Sequence, residues 1–381
     1  METVKGFNDY TGQEAIKREA IREILVKNFK LYGFEPAETP IVEYEEFVKG
    51  NNQSDEAVSS IFKLQDRGER KLALRYELTF QLKRISQNKK MPYKRFQIGY
   101  VFRDEPTSSN RFRQFTQCDI DVVGSSQGIE AEIFSLIKRI FDDLKIECVV
   151  YFNNRKLMNE ILEKEGITQK EEVIREIDKL DKLDEKEILQ NLKKYKAEKV
   201  LSIFKKPESF FKKYESYKEI EELKKLCRNY GVEPTFQPTL ARGLSYYNGT
   251  VIEVKTKQFK ETIAAGGSYP VNNIQSSGFS FGLERISQLA KISTDENKLV
   301  IISIGKDKEA IETSEKLRNE GIGCFVMYKI SKALEFANSY AIPYVIFLGE
   351  EEAKKKKFKL RDMKTGKESM LSLKSLITKL K

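Results

Sequence analysis

The chain of 381 residues contains no histidine and no tryptophan. The absence of histidine excludes every mechanism that needs an imidazole from the protein, including Ser-His-Asp triads, histidine metal sites and a histidine general base. The cysteines lie far apart without a C-x-x-C pair, which predicts neither a disulfide framework nor a zinc site. We expect reduced, mostly buried thiols at Cys118, Cys148, Cys227 and Cys324. Catalysis must therefore depend on Arg, Glu, Asp and Tyr side chains and on metal-bound phosphate.

Two further absences concern membranes and nucleotides. The sequence has no long apolar run and no apolar core of the signal-peptide type near its start, so we expect a cytoplasmic protein without a membrane partner. Neither G-x-x-x-x-G-K-[ST] nor G-x-G-x-x-G occurs. A nucleotide would therefore be held by side chains rather than by a glycine-rich loop.

Length and charge limit the remaining classes. The length predicts two to three domains, and 40% hydrophobic residues with 11% aromatics are sufficient for folded cores. Lysine and arginine number 68 against 58 aspartate and glutamate, which gives a formal net charge of +10. The segment 298–381 carries 18 basic and 11 acidic residues, so most of the surplus lies there. A basic chain favours nucleic acid or another phosphate-rich partner.

Residues 100–124, YVFRDEPTSSNRFRQFTQCDIDVVG, are the most informative stretch. Alternating apolar residues on either side of the turn-forming EPTSSN predict two strands joined by a polar loop. Charged side chains would then line one face of the hairpin: Arg103, Arg111, Arg113, Glu105, Asp119 and Asp121. Such a face suits a polyanion, because guanidinium groups pair bidentately with phosphate oxygens. The alternative is a solvated, salt-bridged hairpin without a ligand.

The first hundred residues predict a helix followed by strands. Apolar residues at helical spacing over 12–32 indicate the helix. The next segment, FEPAETPIVEY, is strand-like, and Pro36 and Pro40 make it an edge or interface strand because proline cannot donate to a central ladder. A strand through KLALRYELT then places Glu77 and Thr79 at a strand end, before a helical QLKRISQ.

Beyond the hairpin the pattern changes twice. An amphipathic helix over 129–144 and a further strand come first, and charged helical patterns then predict a helical insertion over 155–230. Its charge runs fit solvated helix faces with i, i+4 pairs, or secondarily an RNA-facing surface. Strand patterns resume over 239–282 and lead into a helix that bears Arg285. Alternating β and α segments over 298–381 predict an α/β domain with parallel strands.

Seven blocks of sequence occur in the order found in one family. They are KGFNDY at the start, TPIVE around Pro40, LRYELT at 74–79, FRDE with RFRQFTQCDID, LARGLSYYNG at 240–249, AAGGSYP at 264–270 and GFSFGLER at 278–285. TPIVE resembles class II motif 1, the arginine-rich hairpin resembles motif 2, and GFSFGLER resembles motif 3. The sequence thus resembles the histidyl-tRNA synthetases, which are class II aminoacyl-tRNA synthetases, over essentially its whole length. RGLxYY together with AGG-x-Y is particular to the histidine enzymes.

The resemblance implies a fold, an activity and partners. The fold would be an α+β catalytic domain with an antiparallel sheet, a helical insertion and a C-terminal α/β anticodon-binding domain. The boundaries would be 1–150 for the first catalytic part, 151–235 for the insertion, 236–293 for the second catalytic part and 298–381 for the anticodon-binding domain. The implied activity is that of an aminoacyl-tRNA ligase, which activates L-histidine with ATP to histidyl-adenylate and transfers it to tRNA-His. A homodimer in the cytoplasm is also implied.

Carried over position by position, the resemblance assigns the ATP contacts. Arg103 resembles the motif 2 arginine that contacts the α-phosphate and the substrate carboxylate. Glu105 would contact the adenine amino group, and Phe115 would stack on adenine. Arg111 and Arg285 would hold the γ-phosphate end of a bent ATP.

The resemblance also assigns the histidine contacts. Arg242 resembles the family's extra catalytic arginine, and both Arg242 and Arg103 would contact the histidine. The other contacts divide into two groups: Glu77, Thr79 and Gln117 would hold the α-ammonium, while Asp121 and Tyr247, with Tyr246 and Tyr269 nearby, would line the imidazole pocket.

These assignments fit the chemistry of the reaction. Attack of a carboxylate oxygen on the α-phosphorus, in line with departing pyrophosphate, concentrates negative charge on phosphate oxygens. Arg103 and Arg242, on opposite sides, would stabilise that charge, while Mg²⁺ would clamp the β- and γ-phosphates without a predicted protein ligand. Imidazole offers one N–H donor and one acceptor, so Asp121 and Tyr247 would read both of its edges. Deprotonation of the tRNA ribose hydroxyl is assigned to the adenylate phosphate, because the protein has no imidazole.

Several positions depart from the family pattern. Ser245 stands where the family usually has Asp, and Ser268 and Pro270 stand where it has Arg and Asp. We expect all three beside the histidine pocket. The loop residues 108–110 also replace the usual polar and glycine residues near the acceptor end of the tRNA, so contacts to the extra 5′ guanylate of tRNA-His are not carried over.

Other interpretations remain open. Taken alone, the aromatic residues could be core residues, the arginines could form structural pairs and the glycines could shape turns. A noncatalytic paralogue that regulates ATP phosphoribosyltransferase would bind histidine without charging tRNA. Arg242, the motif 2 and 3 arginines and the C-terminal domain argue against it, whereas Ser245 and Ser268 argue weakly for it. A general RNA-binding protein on an inactive scaffold predicts loss of ATP contacts, which the sequence retains.

Overall fold

The computed structural model describes residues 1–50, 56–181, 183–242, 246–259, 261–293 and 298–381. The chain forms two compact units, Met1–Ile292 and Ser293–Lys381. The elements of the first unit, in chain order, are α1 (Gly12–Leu31), β1 (Glu35–Pro36), β2 (Val42–Tyr44), α2 (Glu45–Lys49), α3 (Glu56–Ser59), β3 (Lys63–Gln65), β4 (Lys71–Leu74), α4 (Leu82–Ile85), β5 (Tyr93–Phe102), β6 (Gln114–Val123), α5 (Gln127–Asp143), β7 (Val149–Asn154), α6 (Arg155–Lys164), α7 (Lys170–Asp178), α8 (Glu185–Lys193), α9 (Glu198–Phe204), α10 (Tyr217–Asn229), β8 (Thr235–Phe236), β9 (Thr250–Lys255), β10 (Ala264–Val271), β11 (Ile274–Gly282) and α11 (Leu283–Leu289).

An eight-stranded sheet forms the centre of the first unit, with the strand order β1-β5-β6-β11-β10-β9-β7-β8. The neighbouring pairs from β5 through to β7 are antiparallel. The short edge strands β1 and β8 pair in parallel with β5 and β7. The predicted antiparallel sheet of class II type is therefore confirmed, with a parallel strand added at each edge.

The predicted hairpin is formed by β5 and β6. Its register runs from Tyr93 opposite Val123 to Phe102 opposite Gln114. The loop at its end is closed by a bridge between Ser108 and Arg111. The predicted turn lies within this loop, but the loop is longer than predicted, since β5 ends at Phe102 and β6 begins at Gln114.

The period of two in β6 divides its residues between the two faces of the sheet. Cys118, Ile120 and Val122 have no exposed surface and belong to the main hydrophobic core. Helices α1 and α5 cover this face with side chains at helical spacing: Ile21, Leu25, Phe29, Phe134, Ile137 and Phe141. The alternate residues of β6 therefore point to the opposite face.

The predicted edge strand around the two prolines is split. β1 contains Pro36 and lies at one edge of the large sheet, whereas β2 begins at Val42, after Pro40, and lies at the edge of a second sheet. That second sheet has three strands in the order β2-β4-β3. The edge position is confirmed, but the single strand is wrong, because each proline removes a donor that a continuous strand would need.

The strand predicted through residue 79 ends earlier. β4 stops at Leu74, although the Arg75 amide still donates to the Ile41 carbonyl beyond its end, and the Arg75 side chain donates to the carbonyls of Thr39 and Tyr100. Glu77 and Thr79 therefore lie in the loop between β4 and α4 rather than at a strand end. Both residues still lie beside the large sheet, although they are in a loop and not in a strand.

The strand pattern predicted from residue 239 is also shorter in the structure. β9 begins only at Thr250, so the described residues between Thr239 and Asn248 form a loop. The Asn153 side-chain amide donates to the carbonyls of Pro238 and Leu240 and fixes the start of this loop. Its apolar residues Leu240 and Tyr247 pack against residues from other parts of the chain, including Leu82, Val123 and Val271.

The predicted helical insertion is present between β7 and β8. Helices α6 to α10 and two 3₁₀ turns at Lys179–Asp181 and Glu208–Lys213 fill this interval. Side chains of Asn154 and Asp184 cap the first turns of α6 and α8. The apolar faces of these helices join the same hydrophobic core as the sheet and α5. The charged residues lie mainly outside, as expected for solvated helix faces.

The second unit has its own core. Its elements are β12 (Lys298–Ser303), α12 (Asp307–Asn319), β13 (Gly323–Met327), α13 (Ile330–Ser339), β14 (Tyr344–Leu348), α14 (Glu350–Lys355), β15 (Lys357–Asp362), β16 (Glu368–Ser372) and α15 (Leu373–Leu380). The strand order is β13-β12-β14-β15-β16, in which the first three are parallel as predicted. The antiparallel hairpin of β15 and β16 was not predicted, because its strands are short and rich in charge.

The structure also bears on two expectations, the reduced thiols and the absence of a membrane-spanning segment. All four cysteines are free; Cys118 and Cys227 are buried, whereas Cys148 and Cys324 are partly buried. Across the described ranges, none of the helices combines the length and the apolar character that crossing a membrane would require.

A buried ion pair ties α1 to the start of α11. The Arg18 guanidinium donates to Glu284 at 2.8 Å, and their side chains are 4% and 5% exposed. Both Glu284 oxygens also accept from the Thr116 amide of β6 at 3.0 Å. This carboxylate therefore holds motif 3 against the strand of motif 2.

We expect Glu284→Ala to lower the free energy of unfolding by about 3–5 kcal/mol, because it leaves a buried guanidinium and a backbone N–H unpaired. Urea unfolding followed by circular dichroism measures the loss. Glu19→Ala is the matched control, since Glu19 pairs with Arg22 at 3.5 Å on the surface; its cost should stay below about 1 kcal/mol. Equal costs for the two variants would contradict a structural role for Glu284.

Candidate active site

One face of the large sheet carries most of the residues predicted from the sequence. Along β6 the side chains on this face are those of Phe115, Gln117, Asp119 and Asp121. The last lies six positions beyond the first, so the row spans about 20 Å at about 3.3 Å per residue. This length suits an extended ligand such as a nucleotide joined to an amino acid.

At the Phe115 end, an arginine and an aromatic ring lie together. The Arg103 guanidinium carbon is 5.1 Å from the centre of the Phe115 ring, and its Nε donates to the Tyr76 carbonyl at 3.1 Å. Glu105 is buried and accepts from Arg111 Nε at 2.7 Å. Two predicted ATP contacts, Glu105 and Arg111, are thus paired with each other in the structure.

A cluster of guanidinium groups lies beside this end. The motif 2 loop reaches motif 3, because Arg285 donates to the carbonyls of Asn110 and Thr262. Burial lowers the pKa of Arg285, and its position near three other cations lowers it further although Glu261 opposes the effect; these cations are Arg103, Arg111 and Arg242. The four predicted arginines therefore converge on one region, although they come from three separate segments.

Arg242 is held by a buried carboxylate. Its Nη1 donates to Glu253 of β9 at 2.8 Å, and Glu253 also accepts from Thr262 at 3.0 Å. Burial opposes the charge of Arg242, but the adjacent Glu253 raises its pKa above the usual value. Burial likewise opposes the charge of Glu253, whose pKa is lowered by Arg242 and Lys255. Both groups are therefore charged at any physiological pH.

At the other end of the row, Asp121 meets three tyrosines. The Tyr269 hydroxyl donates to Asp121 Oδ1. The Tyr246 ring lies 4.7 Å from that of Tyr247 and 5.4 Å from that of Tyr269. Burial raises the pKa of each tyrosine, so their hydroxyls stay neutral. The structure thus brings the predicted imidazole-pocket residues together.

Two glycines allow this close approach. A Cβ on Gly278 would lie 2.2 Å from Asp121 Oδ1 and 2.7 Å from the Tyr269 hydroxyl. A Cβ on Gly267, whose φ is +154°, would lie 2.9 Å from the Tyr247 ring. Glycine is required at these positions because any side chain would occupy the pocket wall.

The predicted α-ammonium contacts lie between the two ends. Glu77 is buried, and the Tyr246 hydroxyl donates to it at 3.5 Å. Gln117 donates to Ser280 Oγ at 3.0 Å. Thr79 is partly buried in the same loop as Glu77, and its carbonyl accepts from the Leu82 amide. An acidic group, an amide and a hydroxyl are thus available to an ammonium group.

Several buried polar atoms on this face have no hydrogen-bond partner among the described residues. On β6 they form a row of three acceptors on alternate residues, Gln117 Oε1, Asp119 Oδ1 and Asp121 Oδ2. Arg242 Nε is a donor in the same situation. Buried polar groups are costly when unpaired, so a row of them on one strand marks a place where a polar ligand supplies the partners.

Two residues of the site, Arg95 and Glu253, were missed from the sequence, and Asp119 was predicted only as a carboxylate of the hairpin, without an assigned contact. Arg95 and Asp119 are fully buried on the same face, and Glu253 holds Arg242. Burial first, and then the charge of Asp121, raise the pKa of Asp119 to about 7. The available signal was the period of two: KRFQ in β5 places charge inside a strand, and VIEVK in β9 places one carboxylate among apolar residues.

The departures from the family pattern fall in different places. Ser268 is buried on the opposite face of β10 from Tyr269, where its hydroxyl donates to Glu130 of α5. Pro270 is exposed near the end of β10. The expectation that both lie beside the pocket is wrong, because neighbouring residues of a strand alternate between its faces. Ser245 lies outside the described residues.

No metal site is built from protein groups in the described ranges. There, no three His, Cys, Asp or Glu side chains come together in a way that could hold an ion. The arginine cluster could hold phosphate oxygens, and the phosphates themselves could carry a divalent cation.

Comparisons with known proteins agree with this geometry. The model of the histidyl-tRNA synthetase family matches residues 6–286, and that of the anticodon binding domain matches residues 298–381. The chain is 34% identical over 420 residues to histidine–tRNA ligase 1 of Bacillus cereus, covering 99% of this chain and 96% of that protein.

Solved structures share the fold. The histidyl-tRNA synthetase of Nostoc sp. PCC 7120 superposes with a TM-score of 0.87 at 24% identity, covering 100% of this chain and 98% of that one. An ATP phosphoribosyltransferase regulatory subunit/histidyl-tRNA synthetase from Bacillus halodurans gives a TM-score of 0.76 at 18% identity, over 88% and 96% of the two chains. With the family models spanning both units of the structure, the chain belongs to the histidyl-tRNA synthetase family.

Proposed function

We propose that the chain catalyses the ATP-dependent activation of L-histidine to histidyl-adenylate and its transfer to tRNA-His. The observation that carries this proposal is the single sheet face on which four arginines gather at one end and an Asp–Tyr pocket lies at the other. Phosphates need the first group and an imidazole needs the second. Membership of the family supports both assignments.

At the nucleotide end, we assign adenine to Phe115 and Glu105. The Phe115 ring offers a stacking surface, and Glu105 can accept from the adenine amino group. Arg111 and Arg285 take the γ-phosphate. This requires Arg111 to exchange part of its contact with Glu105 for phosphate oxygens, which replaces one charge-assisted pair by another.

At the amino acid end, Asp121 and Tyr247 take the two imidazole nitrogens. Asp121 Oδ2 is a buried acceptor for the ring N–H, and the Tyr247 hydroxyl donates to the other nitrogen. Tyr246 and Tyr269 complete the pocket wall. We assign the α-ammonium to Glu77, Thr79 and Gln117, because they offer a carboxylate, a hydroxyl and an amide on this side of the sheet, as the family resemblance implies.

In the activation step, a histidine carboxylate oxygen forms a bond to the α-phosphorus. The bond between that phosphorus and the bridging oxygen breaks, and pyrophosphate leaves with the electron pair. We assign Arg103 and Arg242 as the catalytic residues, because their charges would stabilise the negative charge that increases on the α-phosphate oxygens. Their pairing with protein groups keeps them in place before substrate arrives.

Magnesium enters with the nucleotide. Mg²⁺ would neutralise charge on the β- and γ-phosphates, and we assign it no protein ligand since the arginines occupy this end of the site. In the transfer step, the ribose hydroxyl of the tRNA loses its proton to a phosphate oxygen of the adenylate. The chain has no imidazole that could serve instead.

The remaining assignments concern organisation. We propose that 151–235 is an insertion within a catalytic domain formed by 1–150 and 236–293, and that the basic unit 298–381 binds the anticodon. We also propose a cytoplasmic homodimer that forms through the motif 1 region. The edge strand β2 exposes apolar side chains beside others of the same kind: Ile41, Val42, Tyr44 and Leu64.

The activity itself is tested by exchange of labelled pyrophosphate into ATP. We expect exchange that depends on L-histidine, and aminoacylation of tRNA-His by the same preparation. A noncatalytic regulator of ATP phosphoribosyltransferase would bind histidine without any exchange. That result would overturn the proposal, and the other nineteen amino acids serve as controls.

We expect Arg242→Ala to slow histidine-dependent exchange by about 10²- to 10³-fold, because one preorganised donor to the transition state is lost. ATP binding, measured by calorimetry, should change little. Lys255→Ala is the control, since Lys255 is the other cation beside Glu253, at 3.3 Å, but has no assigned role in catalysis. Near wild-type exchange in Arg242→Ala would remove this residue from the mechanism.

The dimer is tested by light scattering. We expect a mass of about twice the 44.2 kDa of one chain for the wild type. Val42→Lys should shift the mass towards that of one chain, because it places a charge in the contact. Val149→Lys is the matched control, since both valines are 43% exposed. A strictly monomeric wild type would contradict the proposed interface.

A further inference from the structure

We propose that Arg95 is a positioning residue that supplies the countercharge of Asp121, so that the pocket takes the substrate with a neutral imidazole ring. This inference rests on the proposed function, in which Asp121 contacts the imidazole. It concerns a residue that has no direct contact with the substrate. Its role is to set which protonation state of the ring the pocket accepts.

Arg95 is placed for this role by burial and by strand pairing. It lies opposite Asp121 in the β5–β6 ladder and has no exposed surface. Its Nη2 is 2.6 Å from Asp121 Oδ2 and 2.6 Å from the Leu78 carbonyl, to which it donates. A buried arginine is costly unless a carboxylate is beside it, so the two groups are coupled.

The two oxygens of Asp121 have different surroundings. Oδ1 accepts from the Tyr269 hydroxyl. Oδ2 lies beside Arg95 but receives no well-aligned hydrogen bond from the described residues. Arg95 therefore balances the charge of Asp121 and leaves an acceptor position on Oδ2. An imidazole N–H would complete that position.

Charge balance then decides between the two forms of the substrate ring. A neutral imidazole adds a dipole to a pair that is already compensated, whereas an imidazolium adds a second cation close to a buried guanidinium. A nearby positive charge in a buried site disfavours the charged form of a second cationic group, and the same effect lowers the pKa of such a group. The pocket should therefore reject imidazolium, which makes up most histidine below about pH 6.5.

The other titratable groups around Asp121 either also disfavour imidazolium binding at acidic pH or have no effect on it. Burial first, and then the charge of Asp121, raise the pKa of Asp119 to about 7, so acid removes negative charge from the pocket. Tyr247 and Tyr269 remain neutral. Further groups on the surrounding elements are Glu77 and Arg75 from the loop after β4, Gln97 from β5, Gln117 from β6, Tyr246 from the loop before β9 and Ser280 from β11. Of these, Glu77 faces the α-ammonium in both ring states.

The test compares L-histidine with β-(1,2,4-triazol-3-yl)alanine, whose ring stays neutral at mildly acidic pH. The ratio of their KM values in pyrophosphate exchange cancels the titration of the protein's own groups. For the wild type we expect this ratio to rise about tenfold between about pH 7.5 and 5.5, as the neutral fraction of histidine falls. A ratio that does not change with pH would overturn the proposal.

Variants of Arg95 separate charge from packing. Arg95→Met should flatten or reverse the pH dependence of the ratio, because an uncompensated Asp121 attracts imidazolium. Arg95→Lys keeps the charge and should retain the wild-type rise. The double variant Arg95→Met with Asp121→Asn removes both charges and should restore the rise, although with weaker binding. A wild-type rise in folded Arg95→Met would overturn the proposal.

Control variants separate a failure of the Arg95 proposal from a failure of the proposed function. Arg18→Met removes a different buried arginine on the other face of the sheet and should leave the pH dependence of the ratio unchanged. If Arg95→Met does not fold by circular dichroism, the comparison of Arg95→Lys with the double variant decides the question, and loss of the rise in both would contradict the proposal. Absence of any histidine-dependent exchange in the wild type would instead refute the proposed function.

Discussion

Successive side chains of β6 point to opposite faces of the sheet, and both the core and the site depend on this alternation. Cys118 and Ile120 enter the hydrophobic core, while Asp119 and Asp121 face the opposite side. A slip of one residue in the register would place carboxylates in the core and apolar groups in the site. The long hairpin with β5 and the pairing with β11 hold that register. Stability and function are therefore specified by the same hydrogen-bond ladder.

The clustered arginines on this side of the sheet repel one another, which has an electrostatic cost. Burial lowers the pKa of Arg285, three neighbouring arginines lower it further, and such a cluster is unfavourable without anions. Carboxylates from the protein compensate it in part: Glu253 holds Arg242, and Glu105 holds Arg111. In the proposed function, the nucleotide phosphates would supply the remaining negative charge. The arrangement is thus preorganised for a polyanion, so little reorganisation is needed when charge develops in the reaction.

The proposed imidazole pocket around Asp121 depends on hydrogen bonding and close packing rather than on a cluster of charges. Its walls are tyrosines packed against Asp121, and Gly267 and Gly278 leave room for them. A pocket that hydrogen-bonds both edges of a ring leaves buried groups unpaired when an analogue lacks one edge, and sites of this kind discriminate by about 10⁴ to 10⁵. Selectivity would therefore require no editing domain. The pair of Arg95 and Asp121 adds a choice of protonation state to this choice of shape.

The sequence by itself determined the family and predicted which side chains would carry the chemistry, because residue types, spacing and ordered blocks are local properties. It also predicted the hairpin, the helical segment and the parallel strands of the second unit from their periodicity. It could not show that β4 ends at Leu74, that one strand divides around Pro40, or that Ser268 faces away from the pocket. Only the tertiary structure decided that Arg95 meets Asp121 and Glu253 meets Arg242, because such partners depend on strand register and on contacts between residues far apart in the chain.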